Sequence, residues 1–269
     1  MDLNKEKAAL FHVMDKFFGT TGGDRFISTD TFKIHDKNFP NIFSELGRLG
    51  VMLCGGAITS LFSGDPVNDL DFYVKKQENI RAAEAYLKTI FKDHEHITLN
   101  ALTLKRASEK SKKLWSVQVI RRFTGDAAEI FDWFDFTVTH GAFDFEQGVF
   151  HFGDRFFTDV AKKKLVYSGA SKYPICAMYR TKKYMDKGYS ISGATIMHIA
   201  LSIVQLKIEN YGQLKEQLMG IDTSFLQKLL DEEDPTNPVD YGEFMEKAFR
   251  LIDGIGGLTE AEQEEQGNG

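Results

Sequence analysis

The chain has little of several things, and each scarcity excludes something. Only two of its 269 residues are cysteine, Cys54 and Cys176, far apart and in apolar or helical surroundings. A disulfide framework is therefore not expected, whereas reduced thiols in a cytoplasmic protein are. Five prolines are too few for a linker-rich chain. No apolar run approaches the roughly eighteen residues of a membrane span, and no N-terminal signal segment is visible. Positive charge is not in excess, since 33 Lys and Arg face 39 Asp and Glu, a formal net charge of −6. That balance argues against an indiscriminate nucleic-acid coat and leaves room for a local basic groove.

Phenylalanine, by contrast, is abundant, with 23 copies, and a chain of this length can bury an ample core. The most informative stretch is Gly55–Val74, GGAITSLFSGDPVNDLDFYV. It follows a short apolar strand, Val51-Met52-Leu53-Cys54. Ala57–Phe62 predicts one to two helical turns, Gly64-Asp65-Pro66 a turn, and Asp69–Val74 a second strand. Alternate strand residues share a face, so Asp69 and Asp71 present their carboxylates side by side. Such a pair repels itself unless a cation lies between, and oxygen donors suit Mg²⁺ or Mn²⁺. Gly55 and Gly56 allow backbone N–H groups to approach a phosphate at a helix N-terminus. Taken singly, each feature has a plainer reading, an acidic pair flanking a turn and a glycine turn. Taken together they are equipment for phosphoryl or nucleotidyl transfer.

Periodicity supplies the frame. Asn4–Phe18 and Asn38–Leu49 read as amphipathic helices around a GTTGG break, and Asn79–Lys92 as a third. Ile97–Leu104 and Leu114–Ile120 alternate as strands. The run between them, KRASEKSKK from Lys105 to Lys113, becomes a basic hairpin loop if they pair. Gly125–Trp133 reads as a short helix and Phe134–Thr139 as a strand. Ala142–Phe145 and Val149–Phe152 flank a Glu-Gln-Gly hairpin turn. Thr158-Asp159 reads as the cap of a short helix running to Leu165. From Tyr173 onward the pattern is helical, with Pro174–Lys187, Gly193–Tyr211, Tyr211–Met219, Ser224–Asp231 and Tyr241–Ile252. The expected organisation is an α+β head over 1–170, a helical segment over 171–253 and a flexible tail over 254–269.

These residues carry a resemblance. The Gly55-Gly56 to Asp69-Leu70-Asp71 spacing, with Leu61 and Gly64 between, resembles the head of the class II tRNA nucleotidyltransferase and bacterial poly(A) polymerase family, within the polymerase β-type nucleotidyltransferase superfamily. Asp135-Phe136-Thr137 with the Gly148 hairpin, then Phe157-Thr158-Asp159 and Lys164-Leu165, is similar to a second family block. Tyr173-Pro174 to Gly188-Tyr189 is similar to its neck helix. The resemblance implies a mixed sheet flanked by helices followed by an all-α neck. It implies an NTP substrate, Mg²⁺ or Mn²⁺ on Asp69 and Asp71, and a hydroxyl acceptor such as a tRNA-like RNA 3′ end. Gly55 and Gly56 would take phosphates, Asp135 would lie on the ribose side, and Arg121 or Arg122 would offset phosphate charge. Arg180 and Lys183 of the neck would meet the nucleotide.

The chain also departs from that pattern. Ile58-Thr59-Ser60 replaces Val-Arg-Asp, Trp133-Phe134 replaces an Arg pair, and Gln118 stands where the family has a third carboxylate. An amide can accept a hydrogen bond but supplies no charge. The leading expectation is a metal-dependent nucleotidyltransferase. Nucleotidylation of a protein or small molecule, or a non-catalytic nucleotide- or RNA-binding module, stays open beside it. The oligomeric state is not legible.

Overall fold

The computed structural model describes residues 3–18, 42–107, 113–169, 171–218 and 229–255. The chain divides into two compact units, Met1–Ala170 and Ser171–Gly269.

The first unit is built on seven strands: β1 (Val51–Cys54), β2 (Asp69–Val74), β3 (His94–Ile97), β4 (Ala101–Ala107), β5 (Leu114–Thr124), β6 (Gly141–Asp144) and β7 (Val149–Phe152). They lie in the order β3-β4-β5-β2-β1-β6-β7. Among these pairings only β2 with β5 is parallel. The α+β head with a mixed sheet flanked by helices is as the sequence led us to expect. β4 and β5 do pair, antiparallel, as that expectation required, and residues 108–112 of the basic run between them lie outside the described residues.

Strand alternation sorts the side chains into two faces. On one, Leu53, Leu70, Phe72, Val117, Val119, Leu102, Leu104 and Phe143 are buried. Helices α1 (Leu3–Phe18), α2 (Ile42–Arg48), α3 (Gly56–Ser63), α4 (Ile80–Lys88) and α6 (Phe156–Ala161) belong to this side. Aromatic edges knit it, with Phe18 against Phe72 and Phe91, Phe43 against Phe143, and Phe62 against Phe150. On the other face α5 (Ala127–Phe131) covers Met52, Cys54, Tyr73 and Ala142. A capping box sets the start of α5. Asp126 accepts from the Glu129 N–H, and Glu129 accepts from the Asp126 N–H.

Several sequence expectations change. Ile97–Leu104 is not one strand but the end of β3, a turn and the start of β4. The Thr98 hydroxyl oxygen accepts from the Asn100 and Ala101 N–H groups and closes that turn, leaving Leu99 exposed. Phe134–Thr139 is not a strand. Phe136 makes a single bridge to Tyr167, and Thr137–Thr139 is a 3₁₀ turn. The alternation there arises because Phe136 and Val138 are both core residues of a tight turn. Asp159 does not cap a helix start but sits buried within α6, accepting from Thr137 and Arg155. That helix ends at Ala161, and Lys164–Leu165 is extended.

The second unit holds α7 (Pro174–Asp186), α8 (Gly193–Val204), α9 (Tyr211–Gln217) and α10 (Tyr241–Ile255). Cys176, Tyr211, Leu214, Leu218, Leu229, Leu230, Phe244 and Ala248 form its core. Gly193–Tyr211 is not one helix. Asn210 accepts from the Gln213 N–H and starts α9 anew, the role for which its side chain is suited. The segment 224–228 of one expected helix lies outside the described residues, as does all of the expected tail beyond Ile255.

The close approach of α3 and α6 to β6 requires a glycine. A Cβ on Gly141 would stand 2.7 Å from the Ile58 Cγ2 and 2.8 Å from the Phe156 ring. Gly141→Ala is expected to destabilise the protein by about 1–3 kcal/mol through overpacking. Chemical denaturation checks this, and an unchanged midpoint would mean that α3 is not held against β6.

Candidate active site

β2 pairs with β5 so that Asp69 lies beside Ser116 and Asp71 beside Gln118. β4 continues the same rows, with Lys105 beside Ser116 and Thr103 beside Gln118. Paired residues in adjacent strands share a face, so Asp69, Asp71, Gln118, Ser116, Thr103 and Lys105 occupy one side of the sheet. All six are half-buried, whereas the intervening Leu70, Val117 and Leu104 are buried on the helical side.

The floor beside Asp71 is the β1 strand end. Burial pushes the Cys54 thiol well up, and the charges of Asp71 and Asp144 add to the rise. Cys54 is thus a protonated, inert wall of the site rather than a nucleophile. Gly55 follows with φ 78° and ψ −132°, a conformation suited to glycine, and its N–H donates to the Gly141 carbonyl. The Phe134 ring would be in ordinary van der Waals contact with a Gly55 Cβ, at 3.6 Å, while nothing stands within 4 Å of a Cβ on Gly56. The i→i−4 ladder of α3 begins with the Thr59 N–H donating to the Gly55 carbonyl. The amides of Gly56, Ala57 and Ile58 precede it, as at any helix N-terminus. Gly64, at φ 78°, closes α3 in the left-handed conformation.

Thr59 shows what replaced the expected arginine. Its hydroxyl is buried and donates to the Val138 carbonyl at 2.7 Å, so the position serves to anchor α3. Trp133 and Phe134 likewise turn an Arg pair into packing. Trp133 stacks on Phe123 with ring centroids 4.4 Å apart, and Phe134 meets Tyr73 edge-on.

The predicted nucleotide-binding residues do not all gather here. Asp69, Asp71, Gly55 and Gly56 come together around the β1–α3 turn and β2. Arg121 does not join them. It sits on the helical face, bonded to Glu84 of α4 and to the Thr98 carbonyl, because Ile120 before it points toward α5. Arg122 donates to Asn100 at 3.4 Å and lies over the Phe123 ring. Asp135 is buried, next to the Phe136–Tyr167 bridge. Arg180 and Lys183 are on α7 of the second unit. Lys105 belongs to the basic run of the sequence, and strand pairing sets it in one row with Asp69.

The donor set fits a small hard cation. Two carboxylates with an amide oxygen beside them are all oxygen ligands, and Mg²⁺ is commonly held by one or two carboxylates plus substrate phosphates. No group of three His, Cys, Asp or Glu that could hold a metal ion is assembled among the described residues. No described helix is long and apolar enough to cross a membrane.

A family model described as Gabija anti-defense 2 family protein matches residues 25–163. A protein named Gabija anti-defense 2, from Bacillus phage SPbetaL7, is 33% identical over 193 residues, covering 71% of this chain and 47% of that protein. The chain thus spans about half the length of this curated relative. Among solved structures, the Thermotoga maritima CCA-adding enzyme complexed with tRNA aligns with a TM-score of 0.46 and 16% identity, over 82% of this chain and 52% of that one. A CCA-adding enzyme in its apo form I aligns at 0.48 and 16%, with the same coverages of 82% and 52%. The family matched carries a different description from the tRNA nucleotidyltransferase family that the motifs resemble.

The half-buried imidazole of His140 gives a pH test. His140 stacks on Phe131 at 5.4 Å, and its Nε2 has no partner among the described residues. Burial lowers its pKa from the ordinary 6.5, against smaller opposing effects of the Phe134 backbone and Asp132. The unfolded chain then binds this proton more readily than the folded one, so stability is complete above the ordinary pKa and falls as pH drops below it. Urea midpoints between neutral pH and about pH 5 should fall less steeply in His140→Phe than in the wild type. Equal slopes would mean that His140 is not held neutral.

Proposed function

The chain belongs to the Gabija anti-defense 2 family, and on that premise we propose that it is a metal-dependent nucleotidyltransferase whose activity serves a counter-defence role. The reaction moves a nucleoside monophosphate from an NTP to a hydroxyl acceptor, an RNA 3′ end, with release of pyrophosphate. The observation that carries this reading is the alignment of Asp69 and Asp71 on one face of the sheet, with Gln118 in register beside Asp71 and the Gly55–Gly56 turn at the next strand end.

Asp69 and Asp71 would hold Mg²⁺ or Mn²⁺. When bound, such an ion supplies charge neutralisation for the triphosphate and acidifies the acceptor hydroxyl. The chain's own groups do the remainder. The amides that open α3 receive the terminal phosphates, and the absence of a side chain on Gly56 lets them come close. Gln118 offers its amide oxygen to the donor set or its N–H₂ to a phosphate oxygen. Buried Cys54 and Tyr73, with partly buried Phe134 packed against them, exclude water from one side. The acceptor oxygen bonds to the α-phosphorus as the bond to the pyrophosphate oxygen breaks, and the hydroxyl proton passes to solvent. The polymerase β-like character of the head and the cytoplasmic setting belong to this same proposal.

Two observations favour a second reading, a nucleotide- or RNA-binding module without transfer. Gln118 in place of a third carboxylate weakens any metal site, and Thr59 is committed to packing.

The test is transfer of label from α-³²P-labelled NTPs to a single-stranded RNA in the presence of Mg²⁺ or Mn²⁺. Wild-type protein is expected to label the RNA, and Asp69→Asn or Asp71→Asn to reduce labelling by at least about a hundredfold with the fold intact. Labelling within about tenfold of wild type in either variant, a gap of about 1.4 kcal/mol, would remove the carboxylate pair from the mechanism.

A further inference from the structure

The rows that carry Asp69 and Asp71 do not end at β4. β3 pairs with β4 so that His94 lies beside Lys105 and His96 beside Thr103. Two continuous rows cross four strands on the site's face, Asp69–Ser116–Lys105–His94 and Asp71–Gln118–Thr103–His96. Neighbouring strands are about 4.8 Å apart, so the histidines stand about 14 Å from the carboxylates, with Lys105 between. That is the span of a few nucleotides leading away from a reacting end.

Resting on the transferase reading above, we propose that the β3–β4 face is the docking strip for the last nucleotides of a single-stranded RNA acceptor. Lys105 takes a backbone phosphate, and the His94 and His96 rings stack on bases. Lysine supplies the charge that any nucleic-acid backbone requires. Imidazole rings supply the flat, sequence-tolerant platforms that single-stranded RNA uses.

The plainest competitor is an ordinary edge strand whose polar residues deter pairing with other chains. Sidedness distinguishes the two. The charged groups on the opposite face are already engaged. Arg106 donates to the Phe17 and Lys16 carbonyls at the end of α1, Arg121 to Glu84, and Lys88 pairs with Glu95 of β3. On the site's face, the side chains of Lys105, His94 and His96 make no hydrogen bond or ion pair with the described residues, and both histidines are exposed. The acid of β3 points to the helices, while its two imidazoles point to the carboxylate side. An edge strand built only for solubility has no reason for that division. The face thus runs from a carboxylate end to a cationic and aromatic end, complementary to a chain whose 3′ hydroxyl enters at β2.

The test measures binding apart from transfer, using fluorescence anisotropy of a labelled single-stranded oligoribonucleotide of about 12 nucleotides, without NTP, over a range of KCl. Lys105→Ala is expected to lower the slope of log K against log salt by about 0.7. His94→Ala with His96→Ala is expected to weaken binding about five- to tenfold with the slope unchanged, and His94→Phe with His96→Phe to restore it. Lys88→Ala, on the other face, is the control and should bind as wild type. Thermal melts of each variant show that it is folded. Unaltered affinity and slope in the Lys105 and His variants, or no RNA binding by the wild type, overturn the strip. The two readings fail separately. Wild-type protein that binds RNA through the strip yet transfers nothing sinks the transferase and keeps the strip. Transfer with strip variants that bind as wild type does the reverse.

Discussion

Parallel pairing of β2 with β5 is the constraint on which the site depends. Every other neighbour pair in the seven-stranded sheet is antiparallel. Parallel neighbours cannot be joined by a tight hairpin and need a crossover. Here the crossover contains α4, β3 and β4, so the chain that leaves Asp71 returns as Gln118 at its side. A slip of one residue would bring Val117 against Asp71 and drive Gln118 beneath α4, at the cost of a buried amide without partners. The hydrophobic set Leu70, Phe72, Val117 and Val119 therefore fixes the polar set between them.

The same alternation separates structure from chemistry. The helical face is apolar, and the cations that reach it are satisfied, as burial requires. Arg121 illustrates the point, since a residue that looked available for phosphate is instead tied to α4. Residues that broke with the expected motifs found packing roles. Thr59 ties α3 to the Val138 carbonyl, and Phe134 fills the space beside Gly55. The site that remains is smaller than the motifs implied, comprising two carboxylates, an amide and a glycine turn.

Much of the sheet was legible because its strands are short and their faces differ. The glycine turn, α3 and β2 were readable from Gly55 to Val74, since glycine, proline and aspartate punctuate that stretch. What escaped had local chemistry that periodicity does not see. Thr98 bends Ile97–Leu104 with a side-chain hydrogen bond, which hid β3 and with it the register of His94 and His96. Phe136 and Val138 alternate like a strand but belong to a bridge and a 3₁₀ turn. The side of the sheet on which Arg121 lies depends on pairing across distant segments, and no window of sequence contains it. Lys105 was visible as a charge but not as a neighbour of Asp69, for the same reason.

The transferase reading requires that Asp69, Asp71 and the residue at 118 face one cation. Calorimetric titration with Mn²⁺ and a non-hydrolysable NTP measures it. Gln118→Glu adds a third carboxylate to the same row and should tighten cation binding, whereas the same change at Thr103, one strand further away, should have less effect. If Gln118→Glu leaves the affinity unchanged or weaker, position 118 does not face the cation and the site described here is wrong.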